Sequence, residues 1–151
     1  MKVVKCGRLI DGTGAPAIKD AVIVIEGSKI VDVGKESRID VPEGPDVEKI
    51  DCTDKTVLPG LIDAHVHLAL GAGRNYEEMF SHSDHHLLIA GVVNARSILD
   101  FGVTTVRDMG TRNRVAFELR EASDMGLIQT PRLLLSGRAI TMTGGHFHYC
   151  N

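Results

Sequence analysis

Up to about Lys55 the chain alternates short β-branched runs with turn residues, the pattern of small antiparallel strands, and no helical spacing interrupts it. Ala21-Val22-Ile23-Val24-Ile25 and Ile30-Val31-Asp32-Val33 flank Glu26-Gly27-Ser28-Lys29, whose glycine can take the positive φ of a tight turn, so a hairpin is predicted there. Asp11-Gly12-Thr13-Gly14 marks a second turn. Val41-Pro42-Glu43-Gly44-Pro45 reads as a loop, because its prolines lack the N–H that a strand ladder needs.

After Lys55 the rhythm becomes strand, loop, helix, repeated, which predicts parallel β/α units. A boundary near residues 54–56 therefore divides a domain at 1–56 from a second at 57–151. Strands are predicted over 57–68, 102–108 and 132–138, the first delayed by Pro59 and Gly60. A helix over about 84–99 has Ser83 or Asp84 as N-cap, Leu88, Val92, Ala95 and Leu99 near helical spacing, and Gly102 as its stop. A second helix over about 114–125 carries Val115, Leu119, Ala122 and Met125 on one face and stops at Gly126.

Composition narrows the function classes. With 151 residues, 43% of them hydrophobic, the chain suffices for one compact domain or for a small domain and part of a larger one. The net charge of -3 and the lack of a basic block argue against nucleic acid as a partner. Apolar runs are far shorter than the roughly 20 residues that span a bilayer, so no membrane association is expected. The N-terminus lacks the apolar core and cleavage site of a secretory signal, which points to the cytoplasm. Cys6, Cys52 and Cys150 are odd in number and widely separated, unlike a disulfide framework; Cys6 and Cys52 read as small buried hydrophobes.

Chemistry concentrates in Pro59-Gly60-Leu61-Ile62-Asp63-Ala64-His65-Val66-His67-Leu68. On a strand, period-two geometry puts His65 and His67 on one face, with Asp63 one step earlier on the same face. Two neutral imidazoles so close suit a divalent metal such as zinc. By spacing alone the pair remains open between a metal site and a solvated or hydrogen-bonded pair.

The segment resembles the first barrel strand of the amidohydrolase superfamily, in which a Pro-Gly-Leu-Ile-Asp-X-His-X-His string follows a small N-terminal β-domain. Gly102-Val103-Thr104-Thr105-Val106-Arg107-Asp108-Met109-Gly110 is similar to that family's second strand. Met142-Thr143-Gly144-Gly145-His146 is similar to the loop after the third strand in the branch of imidazolonepropionase-like enzymes and metal-dependent dipeptidases of the prolidase kind. The resemblance extends over essentially the whole chain, including Gly7-Arg8-Leu9-Ile10-Asp11-Gly12-Thr13-Gly14.

The resemblance implies an α/β fold: a small N-terminal antiparallel β-sandwich domain, then the first three β/α units of a TIM-type (β/α)8 barrel with its active site at the C-terminal strand ends. It implies that His65 and His67 bind one or two divalent ions, zinc above all, which polarise a substrate carbonyl and activate water for attack on an amide. Asp63 is read either as the group that orients a ligand histidine through its ring N–H or as a structural hydrogen-bond partner near the strand end. His146 and His148 are read as substrate contacts, since the similar loop lies over the family's metal centre; the alternative is a solvated, glycine-flanked loop. If residues 146–150 are extended, His146, His148 and Cys150 share a face. His82, His85 and His86 read as a solvated cap region.

The family's further ligands, and the aspartate that serves as its proton-transfer group, are expected beyond Asn151, so the barrel's remainder is itself an expected partner and no general base is named. The resemblance also implies self-association. The implied substrate is a small amide, foremost a dipeptide with proline or a similar residue at its C-terminal side. A cyclic amide, as for imidazolonepropionase, and a non-catalytic metal-binding relative are the alternatives.

Overall fold

In the computed structural model, which describes residues 1–70 and 81–148, the chain divides into two units, Met1–Pro59 and Gly60–Asn151. The first is built on β1 (Lys2–Leu9), β2 (Ile18–Glu26), β3 (Lys29–Lys35) and β4 (Glu48–Val57), in the order β3-β2-β1-β4. The predicted hairpin is β2–β3, closed across Glu26 and Lys29 with Gly27 at φ +59°. Pairing is antiparallel for β1–β2 and β2–β3 but parallel for β1–β4, so the sheet is mixed, which the all-antiparallel expectation did not anticipate. The reason is the connection. A parallel neighbour requires a crossover of about a dozen residues, and segment 36–47, with its 3-10 turn Glu36–Arg38 and two prolines, supplies it.

Both faces of β1 and β2 are packed. Cys6, Leu9, Ala21 and Ile23 form one cluster, while Val3, Val22 and Val24 form another beneath Ile39, Val41 and Val47 of the crossover. A strand buried on both faces has no polar side, which explains why Ala21–Ile25 is continuously apolar instead of alternating. Cys6 is buried, as expected, and burial pushes its thiol up; Cys52, its register partner on β4, is half-buried. Cys150 lies outside the described residues.

The second unit is a parallel three-stranded sheet of β5 (Leu61–Val66), β6 (Val103–Asp108) and β7 (Arg132–Leu135), connected through α1 (Asp84–Asp100) and α2 (Val115–Asp124). The first predicted strand is split: Val57 ends β4, and Leu58-Pro59-Gly60 separates it from β5. The third ends at Leu135, before Ser136-Gly137 turns with φ +79° at Gly137. Ser83 caps α1, its hydroxyl accepting from the His86 amide at 3.3 Å, and Gly102 and Gly126 take positive φ after the two helices.

The fully buried residues of α1 are Leu87, Gly91 and Ala95; Ala95 lies on the predicted face, and Leu88 and Val92 of that face are half-buried against the core. Gly91 packs against Leu119 of α2, a methyl of which would stand 3.4 Å from a Cβ at that position. On α2, Val115, Ala116 and Leu119 are buried, whereas Met125 is 73% exposed and leaves the predicted face. Leu68, Ala95, Val106, Leu119 and Leu133 make the core between sheet and helices. Among the described residues no helix is long and apolar enough to cross a membrane.

Candidate metal centre at the strand ends

His65 is the penultimate residue of β5 and His67 is the first residue beyond it, so both emerge at the C-terminal edge of the parallel sheet. Their ring centroids are 5.3 Å apart with planes inclined by 76°. Both line a cavity of about 350 Å³, together with His146, Phe147 and the wall formed by Met109, Ala139 and Ile140.

The His67 ring is fixed. Its Nδ1 lies 2.9 Å from the carbonyl oxygen of Gly110. A carbonyl can only accept, so Nδ1 carries the proton and the lone pair of the neutral ring is on Nε2. Gly110 itself admits no side chain: its φ is +150°, and a Cβ would stand 2.7 Å from that of Ala139 and 3.0 Å from its Cα.

Beneath the imidazoles lies a carboxylate whose role the sequence did not reveal. Asp108, the last residue of β6, is 1% exposed. Its Oδ2 accepts the Leu68 amide and its Oδ1 the Gly110 amide, each at 2.9 Å. Burial pushes its carboxyl up, while the two amides and the nearby His67 imidazole oppose that shift. Asn94 of α1 donates to the Leu68 carbonyl at 2.7 Å, so the peptide groups on both sides of Leu68 are held by partly or fully buried polar side chains. Main-chain bonds continue the stitching: Met109 donates to Val66 at 2.9 Å and Ser136 to Asp108 at 3.0 Å. The signal for Asp108 is present in the sequence. It falls two residues after the buried Val106 on the same strand face, where a carboxylate is out of place unless it bonds to something.

Asp63 is exposed, and its Oδ1 accepts the backbone amide of His65 at 3.0 Å. That bond is to the backbone near the strand end and not to a histidine ring. On the opposite face of β6 from Asp108, Arg107 donates to the Ala64 carbonyl at 2.7 Å.

Residues 146–148 are not extended, so the condition under which His146 and His148 would share a face is not met. Gly145 donates to Met142 at 2.8 Å and His148 to Gly145 at 3.1 Å, so the glycine pair drives a compact turn. The turn separates the histidines. His146 faces the cavity of His65 and His67, whereas His148 lines a different one with Thr141, Met142 and Thr143, and its Nδ1 lies 3.0 Å from the Gly145 carbonyl. Phe147, which sequence reasoning passed over, stacks on His67 with centroids 4.8 Å apart and meets His146 edge-on at 4.9 Å. Elsewhere, His85 and His86 are exposed at the start of α1, and His82 stacks on His86 at 4.1 Å.

Among the described residues no three His, Cys, Asp or Glu side chains converge as a metal site. The pair of His65 and His67 nonetheless fits a divalent ion, since one ring has its non-ligating nitrogen tied to a carbonyl, the arrangement typical of a metal-binding histidine.

Comparison with known proteins agrees with this geometry. The profile of the Amidohydrolase family matches residues 56–149. Imidazolonepropionase of Rhizobium rhizogenes is 39% identical over 64 residues, which are 42% of this chain and 16% of that protein. Ochratoxinase of Aspergillus niger is 30% identical over 152 residues, 95% of this chain and 29% of that protein. Among solved structures, a Xaa-Pro dipeptidase with methionine bound in its active site superposes with TM-score 0.78 at 33% identity, over 97% of this chain and 35% of the other. A prolidase complexed with N-methylphosphonate-L-proline superposes with TM-score 0.82 at 31% identity, over 97% and 34%. The chain thus spans about a third or less of the length of these relatives. Its architecture is that of an N-terminal β-domain followed by the opening β/α units of a TIM-type barrel. With a family profile matched across the parallel unit and prolidase-like enzymes superposing on nearly every residue, the chain belongs to the amidohydrolase family.

Proposed function

We propose that this chain provides the first two metal ligands, His65 and His67, of a hydrolase that cleaves a carbon–nitrogen bond in a small amide, foremost a dipeptide with proline at its C-terminal side. The observation that carries the reading is the oriented His67 ring, Nδ1 bound to a carbonyl, beside His65 at the strand ends. The prolidase-like structural neighbours support the dipeptide; the similarity to imidazolonepropionase favours a cyclic amide as the second reading. Chemistry is assigned to the domain expected at 57–151, and none to the one at 1–56.

One or two divalent ions, zinc above all, supply a Lewis acid and an activated water when bound there. The chain's own residues do the rest. His67 offers Nε2 from a ring whose rotation is blocked by Gly110 on one side and Phe147 stacked on it. Met109, Ile140 and Phe147 give the cavity an apolar lining beside the imidazoles. His146 stands in that lining as a polar group for the substrate, while His148, in its separate cavity, acts on substrate only through the loop it shares with His146.

Elemental analysis joined to a hydrolysis assay tests the proposal. The expected result is about one or two zinc-like ions per chain and cleavage of Xaa-Pro dipeptides in preference to a cyclic amide. Loss of a partner behind a ligand costs about 10–100-fold in metal affinity, so His67→Ala, which removes the ligand itself, should cost more than about 100-fold. Metal content and activity unchanged in His67→Ala would sink the assignment.

A further inference from the structure

We propose that Asp108 is a positioning residue for the metal-binding face, setting the His67 imidazole through two backbone segments without touching the metal or the substrate. The inference rests on the metal reading of His67 and deepens it. One carboxylate oxygen holds the amide of Leu68, the residue next to His67, and the other holds the amide of Gly110, whose carbonyl receives the His67 Nδ1–H. The same side chain therefore anchors the ring at its own backbone and at its hydrogen-bond acceptor.

A carboxylate that is 1% exposed is costly to bury, and here it accepts two backbone amides that an apolar residue of similar size would leave unpaired. What the carboxylate provides is geometry, since its two oxygens fix the separation of two strand ends that carry a ligand and the ligand's orienting carbonyl. Main-chain pairing of β5 with β6 is irregular between Asp63 and Val66 and resumes only at Val66 and Asp108, where the Met109 amide donates to Val66. The carboxylate adds two bonds beyond that point. Asn94 anchors the Leu68 carbonyl from the helix side, so displacement of Leu68 is resisted from both directions.

Asp108→Asn separates this role from mere stability. The carboxamide keeps one acceptor and turns an N–H donor toward either the Leu68 or the Gly110 amide, so one of the two anchors is lost. In the full chain, metal-stripped and titrated with zinc against a competing chelator, the variant should bind about 10–100-fold more weakly. Val106→Ala, a cavity in the core two residues earlier on β6, should lower the unfolding midpoint at least as much yet leave zinc affinity within about twofold. Nitrogen-15 NMR of the metal-free protein should find His67 as the Nδ1–H tautomer in the parent and a mixture of tautomers in Asp108→Asn. Equal zinc affinity in Asp108→Asn and the parent overturns the proposal. So does an Nε2–H tautomer in the parent, a measurement that needs no variant to fold. Should the parent bind no zinc, the metal reading fails by itself, and the tautomer comparison alone decides whether Asp108 sets the ring.

Discussion

The two units of the chain keep their polar side chains in opposite places. In Met1–Pro59 the buried residues are apolar, Val3, Cys6, Leu9 and Ala21 to Val24, while charges pair at the surface as Lys2–Glu48, Lys5–Glu36 and Asp54–Lys55. Exposed pairs of this kind contribute about 0–1 kcal/mol each, so that unit stands on its ladders and its two apolar clusters. In Gly60–Asn151 the buried set includes Asp108 and Thr111, both 1% exposed and both at the C-terminal end of β6 or just beyond it. Strand ladders satisfy backbone groups only where strands run side by side. Where they end and must present imidazoles at a fixed angle, side chains have to take over, and burying them is the cost of a defined site.

The comparison breaks first at the cores. Leu119→Ala should cost the most, about 2–5 kcal/mol in denaturant unfolding, because it empties the space against Gly91 that neighbouring side chains cannot refill without moving α2. Zinc affinity should stay within about twofold, as for Val106→Ala in the same core cluster. Val22→Ala, in the sheet unit, should cost about 2 kcal/mol by loss of two buried methyl groups and a small cavity. Here zinc affinity should not change. A loss of affinity in Val22→Ala beyond what its unfolded fraction explains would mean that the sheet unit contributes to the site, and the contrast drawn above would fall.

How much of this was legible in the sequence follows the same divide. Periodicity and turn chemistry located β2, β3, the three parallel strands and both helices, because Gly27, Gly102 and Gly126 sit where the backbone needs positive φ and Ser83 where a helix needs a cap, but they gave no bounds to β1 or β4. The parallel β1–β4 pair was not legible, since a strand's partner depends on where a crossover returns and not on the strand's own residues. At the site, the period-two spacing of His65 and His67 carried through to a shared cavity. His146 and His148 have the same spacing, yet a turn closed by Gly145 parts them. Asp108 and Phe147 were read as part of a strand motif and of a loop. Period-two alternation from Val106 puts Asp108 on the buried face, but the partners of Asp108 and Phe147, at His67 and its neighbours, lie about 40 and 80 positions away in sequence, and no local pattern names them.

The smallest expected effect concerns acid stability, and it tests whether the polar bonding of the β/α unit extends beyond the site. Asp84, in the first turn of α1, receives Asn113 Nδ2 at 2.8 Å and Arg112 Nε at 2.7 Å. The Asn113 bond above all, then Arg112, holds its carboxyl below the usual 3.8 against the opposing effect of burial. A carboxyl lowered on folding adds stability that is fully present above its unfolded value and is lost as pH falls through its folded value. Asp84→Asn should therefore be less stable than the parent at neutral pH, by under about 1 kcal/mol because the side chain is 38% exposed. The gap should close on acidification below pH 3.8. Unfolding midpoints measured from pH 7 to about 3 in both proteins give the answer, on the usual span of carboxylate titration. A gap that widens toward acid would show that Asp84 is bound more tightly when protonated, and that Asn113 and Arg112 hold the start of α1 by shape instead of charge.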